Sequence, residues 1–319
     1  MDKIKSFLQK NIGITASVSY ALVMRLLDFI NLISIDSFTF MVIVPFIIGY
    51  IPFLFKNSRS RKSKLWAVFT PFLSILIFLL ICVQMRIEDY TCLLIIGFPF
   101  MLMSAIVSLV IYYYIQNNEN GKIKKSYFLV LLVPLGTNQI EAQFKNPNKN
   151  YSVNNNINIK CPKAYVFSHL KAIPKLTPSP TSRLLFNFPK PKYSTYDEKK
   201  NLRLGYFSQG VVLHEWVDSI ISDKYIGFGV DIENSEFSDV PTLVHGLENR
   251  LIDFKSIAYE IKETGINSCS LTLSANYSLN TKLQNYAQFW SSKIIDQFEQ
   301  NLLASLKLTL EKKYSTLPQ

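Results

Sequence analysis

The chain has 319 residues, 49% of them hydrophobic and 18% charged, with a formal net charge of +11. That apolar content excludes a disordered or fibrous chain, and four cysteines without a CxxC spacing exclude a disulfide framework and a zinc motif. Residues 1–137 hold 13 Lys/Arg against 6 Asp/Glu and the remainder 21 against 17, so most of the excess sits beside apolar runs. There it reads as membrane topology. No basic run interleaved with aromatics follows, so no nucleic-acid partner is expected.

Residues 1–10 carry Lys3, Lys5 and Lys10, too polar for a cleavable signal peptide. Apolar runs follow at 12–35, 38–55, 65–85 and 90–115. Each is near the ~20 residues a helix needs to cross about 30 Å of hydrocarbon. The first contains Arg25 and Asp28, three apart and so on one helical face, where they pair with each other or meet a partner helix. A fifth run, 127–135, is short for a crossing.

Basic residues crowd the loop after the second run (Lys56, Arg59, Arg61, Lys62, Lys64) and follow the fourth (Lys122, Lys124, Lys125). The connection after the first run has none, and that after the third has only Arg86. This alternation predicts a cytoplasmic N-terminus. With five crossings the rest of the chain is non-cytoplasmic and with four it is cytoplasmic; five is the expectation. The runs show no HExxH, no glycine-rich phosphate loop and no matched broken helices. Residues 1–137 therefore read as a multi-pass anchor of four to five helices in the cell membrane.

Residues 138–150 are polar and read as a linker. Val153, Ile157 and Ile159 alternate with Asn and Lys in a strand over 152–160. Pro162 then opens a short helix. Five prolines make 173–192 mostly loop. Next, 201–207 and 211–221 flank Ser208-Gln209-Gly210, a three-residue hairpin loop that predicts a type I turn with a left-handed glycine. That register sets Arg203 opposite Glu215, Gly205 opposite Leu213, and Phe207 opposite Val211, all on one face. If this face lines the interior, Arg203 and Glu215 are a polar handle among apolar neighbours. If it faces water, they are an ordinary surface pair.

Further strands are expected over 223–233, 248–255 and 256–262, with a loop over 234–245. Cys269, Leu271, Leu273, Ala275 and Tyr277 alternate strictly with polar residues, marking a strand with one apolar face. The period then changes. Leu283, Tyr286/Ala287, Trp290, Ile294, Phe298, Leu302, Leu306 and Leu310 recur every three or four residues, as in an amphipathic helix over 281–314. Hairpins need only short turns, so a curved antiparallel sheet wrapped around that helix accommodates the order. Residues 151–319 are thus expected to form an α+β unit after the α-helical membrane region.

Three stretches resemble a known family: 157–167, the opening strand and Pro162 helix start; the hairpin 203–217; and 271–307, with Asn285-Tyr286-Ala287, Trp290 and Leu302-Leu303. Together they resemble the START-like superfamily, also called SRPBCC or polyketide-cyclase/lipid-transfer proteins. The resemblance covers 151–315 and implies the helix-grip fold. An N-terminal multi-span region joined to such a domain also resembles a set of uncharacterised bacterial membrane proteins. Iron-dependent members need His and carboxylate ligands; His169, His214 and His245 are not so spaced, so no metal or cofactor is expected.

The first functional expectation is a membrane-anchored module binding a lipid or apolar small molecule between sheet and terminal helix. Candidate ligand contacts are Arg203, Phe207, Leu213, Glu215, Val217, Leu271, Leu273, Trp290, Ile294 and Phe298. The second is a cyclase- or hydrolase-type enzyme with Glu215 as base, ranked lower because Arg203 would hold that carboxylate ionised. The third is a non-catalytic membrane interaction protein whose apolar residues are simply core. Tyr259, Glu260, Arg250 and Asp253 fall on neighbouring strands, at the rim or the surface. Cys161 and Cys269 stand at strand ends that the fold family tends to pair.

Overall fold

A computed structural model describes residues 11–30, 32–55, 58–117, 125–178, 188–237, 240–248 and 250–316. Residues 1–10, Lys56, Lys122, Lys124 and Pro180 lie outside the described residues. The chain forms two compact units that divide between Asn146 and Pro147.

In the N-terminal unit, α1 spans Ile12–Phe29. The second apolar run is not one regular helix. It is a π-turn Thr39–Ile43, then α2 (Val44–Tyr50), then a 3-10 turn Ile51–Leu54. Pro45 and Pro52 open the later two pieces, and each lacks the N–H that would continue the ladder. Helices α3 (Lys64–Gln84) and α4 (Tyr90–Asn117) are long and apolar enough to cross a membrane. The stretches Thr39–Leu54 and Phe128–Ala142 are shorter apolar helices. Among the described residues two helices qualify by length and composition, against the four to five expected.

Arg25 is buried and pairs within its own helix, as one alternative had it; its other partner, Glu88, lies in the connection between α3 and α4 and not on a helix. Arg25 Nη1 meets Asp28 Oδ2 at 2.5 Å, and Arg25 Nε donates to Glu88 Oε1 at 2.8 Å. The stretch expected to be linker is helical through Ala142, the end of α5 (Val133–Ala142), and extended again from Asn148.

The C-terminal unit begins with β1 (Asn148–Ile159) and the short helix α6 (Lys163–Ser168), with Pro162 just before its first turn. Six strands follow: β2 (Pro191–Asp197), β3 (Leu202–Phe207), β4 (Val212–Ile221), β5 (Tyr225–Glu236), β6 (Ile252–Gly265) and β7 (Ser268–Asn280). The long helix α7 (Gln284–Ser315) ends the described chain. The sheet order is β1-β7-β6-β5-β4-β3-β2, antiparallel throughout. β1 and β2 stand at opposite edges, so α6 and the proline-rich segment carry the chain from one edge to the other. This is the helix-grip arrangement.

Two features curve the sheet. Bulges interrupt the β4–β5 register at Val212/His214 and Val217/Ser219, and each adds local twist. β5 pairs with β6 only from Tyr225↔Glu260 to Phe228↔Ile257. Beyond Phe228 the two strands part, and the connection carrying Leu243 and Leu247 packs into the split beside Val211 and Phe237.

The hairpin register is the one the three-residue loop dictates: Arg203↔Glu215 and Gly205↔Leu213. Its turn differs in detail. Gln209 as well as Gly210 is left-handed, at φ 61° and 75°, the geometry of a type I′ turn, whose twist suits a hairpin. Two strand expectations are corrected. β2, not expected, begins at the last two residues of what the prolines marked as loop, because Pro191 occupies the first position of an edge strand, where no donor is needed. β6 is one strand, and a bulge at Phe254/Ser256 breaks the alternation that made it read as two.

The main core lies under the C-terminal part of α7. Leu302, Leu303, Leu306 and Leu310 pack on Ile159, Ile261, Leu271 and Leu273 of the sheet, with Val166 and Leu170 of the α6 region closing the end. Cys161 and Cys269 belong to this core as free thiols, and burial pushes the Cys161 thiol up to about 11. A disulfide between them is not formed.

Candidate functional site

Toward the N-terminal part of α7 the packing changes. Between helix and sheet lies a cavity of about 160 Å³ with a predominantly apolar wall. Gly205, Phe207 and Leu213 of the β3–β4 hairpin form one side. Leu273 and Ala275 of β7 form the floor, and Ile294, Ile295, Phe298 and Leu302 of α7 form the roof. Leu243 and Leu247 close the split between β5 and β6.

Seven of the ten sequence candidates meet in this wall: Arg203, Phe207, Leu213, Glu215, Leu273, Ile294 and Phe298. Val217 and Leu271 do not; they pack in the adjoining core. Trp290 is also outside, half-buried and edge-on to Phe289 and Tyr286 at 5.4 and 6.4 Å between ring centres. The helix phase explains this. The residues of α7 turned most fully onto the sheet are Ser291, Ile295 and Glu299, one position after Trp290, Ile294 and Phe298. A pattern of apolar letters selects the bulky neighbours and misses the serine and the glutamate.

The cavity shares Leu176, Phe188, Pro189 and Phe298 with an outer groove lined by Lys175, Lys190 and Lys192. Phe298 packs between Phe188 and Phe207, at 6.4 and 5.9 Å between ring centres. These rings narrow the passage between cavity and groove.

Three polar sets interrupt the apolar wall. The first is Arg203 with Glu215, respectively 6% and 5% exposed, which settles the face of the hairpin as the interior one. The two side chains are in direct contact through Arg203 Nη1 and Glu215 Oε2. Arg203 Nε also donates to the Lys171 carbonyl at 3.1 Å, and its guanidinium lies 4.6 Å from the centre of the Phe228 ring. Burial raises the Glu215 carboxyl, against the opposing charge and hydrogen bond of Arg203. A guanidinium stays charged, so a neutral Glu215 would strand a buried cation; the physical argument favours an ion pair.

The second is Tyr259, left open between rim and surface by the sequence. It is 2% exposed, and burial pushes its hydroxyl up to about 12, with Arg203 pulling down and Glu215 and Glu299 adding to the rise. Glu260, Arg250 and Asp253 lie toward the surface, the last two in ion pairs with Glu233 and Lys255.

The third, Glu299, was not among the sequence candidates. It is 2% exposed on α7 and stands in the cavity wall. Its Oε2 accepts from Asn155 Nδ2 of β1 at 2.9 Å, while its Oε1 is buried without a hydrogen-bond partner. Burial raises its carboxyl to about 8; Asn155 opposes this, nearby Asp296 adds to it, and the Ala275 amide opposes it weakly. The signal was present in the sequence. Counted back from Leu310, Leu306 and Leu303 in steps of three or four, the buried face reaches Glu299 before Ile295.

Among the described residues no group of three or more His, Cys, Asp or Glu could hold a metal ion. His169 lies outside the cavity wall and contacts the Tyr165 carbonyl and Lys313. His214 is on the opposite face of β4 from Glu215, as is Trp216, which is 42% exposed and covers Gly229 of β5.

No family model and no curated protein matches the chain. Among solved structures it is similar to the Zhui aromatase/cyclase of Streptomyces sp. R1128, at 9% identity and TM-score 0.37 over 52% of this chain and 96% of that one. It is similar to norcoclaurine synthase of Thalictrum flavum, at 9% identity and TM-score 0.33 over 53% and 98%. A third is protein XoxI of Bacillus cereus, at 11% identity and TM-score 0.32 over 51% and 97%. With scores this low, the helix-grip assignment rests on the strand order and terminal helix described above.

Proposed function

We propose that residues 151–319 form a binding module that takes an apolar small molecule, or the acyl end of a lipid, into the cavity under α7. The observation that carries this is the cavity itself. Protein interiors are packed to crystal-like density, and a void of about 160 Å³ with an apolar lining is the kind that admits a guest the size of benzene. A larger ligand would extend past Phe298 into the lysine-lined groove. Catalysis finds less support at Glu215, whose carboxylate is committed to Arg203.

Gly205 supplies the test. A Cβ built there meets Phe207, Glu215 and Leu213 at 3.3 to 3.8 Å, so a valine would occupy the hollow while suiting a strand. Full-length protein and its Gly205→Val variant would be purified and extracted, and the extracts compared by mass spectrometry. An apolar compound enriched with the wild-type chain and lost with the variant supports the reading; equal extracts across lipid and small-molecule classes overturn it.

The module is held at the bilayer, in this reading, by α3, α4 and the shorter apolar helices of the first unit. The loop charges favour a cytoplasmic N-terminus, and with five crossings the module is non-cytoplasmic. A topology reporter fused after Gln319 should then report the non-cytoplasmic side; a cytoplasmic signal would reverse the assignment.

A further inference from the structure

The polar groups of the cavity differ in what they have left to offer. Arg203 donates to Glu215, the Lys171 carbonyl and Tyr259, with its face on Phe228. Glu215 is in turn engaged by Arg203. Glu299 is different: Oε2 is held by Asn155, while Oε1 is buried without a hydrogen-bond partner, and only the Ala275 amide bears weakly on the carboxyl.

From this we infer that Glu299 is a specificity-determining residue: its carboxyl presents an O–H at Oε1 to the guest, selecting apolar molecules that carry a neutral oxygen acceptor such as a ketone, aldehyde or ester carbonyl. The inference rests on the cavity-binding reading and adds the chemistry of the ligand to it.

The placement of the proton follows from hydrogen-bond roles. Asn155 Nδ2 can only donate, and the carbonyl oxygen of a neutral acid is the stronger acceptor, which assigns the carbonyl to Oε2 and the proton to Oε1. The neutral form is the one expected at physiological pH, because burial raises the carboxyl to about 8. The groups around it do not reverse this. Asp296, on the same helix and sharing Asn155, disfavours a second negative charge. From β6 comes Tyr259, with its hydroxyl neutral and hydrogen-bonded to Arg203, and from β3 and β4 the Arg203–Glu215 pair. Tyr193 and Tyr206 stand in the cavity wall and stack on each other. A buried donor without an acceptor is unfavourable, so a guest that supplies one gains over a guest of the same shape that does not.

The test uses two probes of nearly the same shape, acetophenone and α-methylstyrene, which differ in a carbonyl oxygen against a methylene. Each would be titrated calorimetrically into the full chain in lipid nanodiscs, with Gly205→Val nanodiscs as the blank for partition into lipid. At about pH 6 the wild-type chain should favour acetophenone by about tenfold, the worth of one buried hydrogen bond. At about pH 9.5, where the carboxyl is ionised and donates nothing, the preference should vanish. Glu299→Gln keeps a donor that does not titrate and should hold its preference at both pH values. Glu299→Leu should bind both probes alike.

Equal binding of the two probes by the wild type at about pH 6, a preference insensitive to pH, or a preference that survives Glu299→Leu would overturn the role of Glu299 and leave the cavity reading standing. Neither probe binding above the blank would overturn both. The pH comparison on the wild type decides the matter even if the leucine variant does not fold.

Discussion

From Leu302 to Leu310 the terminal helix presses Leu302, Leu303, Leu306 and Leu310 into the sheet, and the space is filled. One to three turns earlier the same helix faces the same sheet with Ser291, Ile295 and Glu299, and a hollow remains. The sheet strands run continuously beneath both halves; what differs is the helix side-chain volume and the course of β5. At the packed end β5 stays beside β6 through Phe228. At the hollow end it has left, and a loop stands in for a strand. A helix-grip sheet thus stabilises itself at one end and keeps room at the other.

That contrast can be broken most forcefully at the ion pair beside the hollow. Arg203→Met removes the partner of a buried carboxylate, which should cost about 3–5 kcal/mol. The double variant Arg203→Met/Glu215→Leu should recover most of that loss, because two apolar groups leave no buried charge. Urea unfolding of the full chain followed by tryptophan fluorescence would measure both. A single variant as stable as wild type would mean that the hollow end is already wet.

The next effect compares the two ends directly. Leu306→Ala, at a fully buried position, should lose about 3 kcal/mol by cavity creation. Ile294→Ala, half-buried in the wall of an existing cavity, should lose about 1 kcal/mol or less in the same assay. Equal losses would deny the division of the helix into a packed and a hollow half.

A separate comparison is the dependence on pH. Glu299 is raised from 4.5 to about 8, so the folded state holds a proton that the unfolded chain releases in between. Stability contributed by this group is intact below about pH 4.5 and is lost as the pH rises through about 8. Glu299→Gln should flatten that decline, seen as a smaller change in urea midpoint between about pH 5 and about pH 9. A decline as steep as wild type would assign it to another group.

Local rules made much of this legible in the sequence. A three-residue loop ending in glycine fixes its own register, so Arg203 opposite Glu215 could be derived without the rest of the fold. Strict alternation identified β7, and the three-to-four period found α7 to within a few residues at each end. What escaped depends on relations the sequence does not display. Glu88 reaches Arg25 across 63 positions, and nothing local marks it as a partner. Glu299 sits where a glutamate interrupts an apolar face, and averaging over the pattern discards it. β2 was missed because a proline precedes it and another opens it, which an edge strand tolerates where a central one cannot.

The pairing of β1 with β7 bears on how the chain is made. Ile159 and Cys269 are opposite each other, 110 positions apart. At about 5–20 residues per second a ribosome needs roughly 5–20 s to deliver the second after the first. During that interval β1 has no neighbour, and an unpaired strand invites aggregation. Its outward asparagines (Asn148, Asn150, Asn154, Asn156 and Asn158), with Lys149 beside them, give the nascent segment a hydrated, unadhesive character until its mate is synthesised.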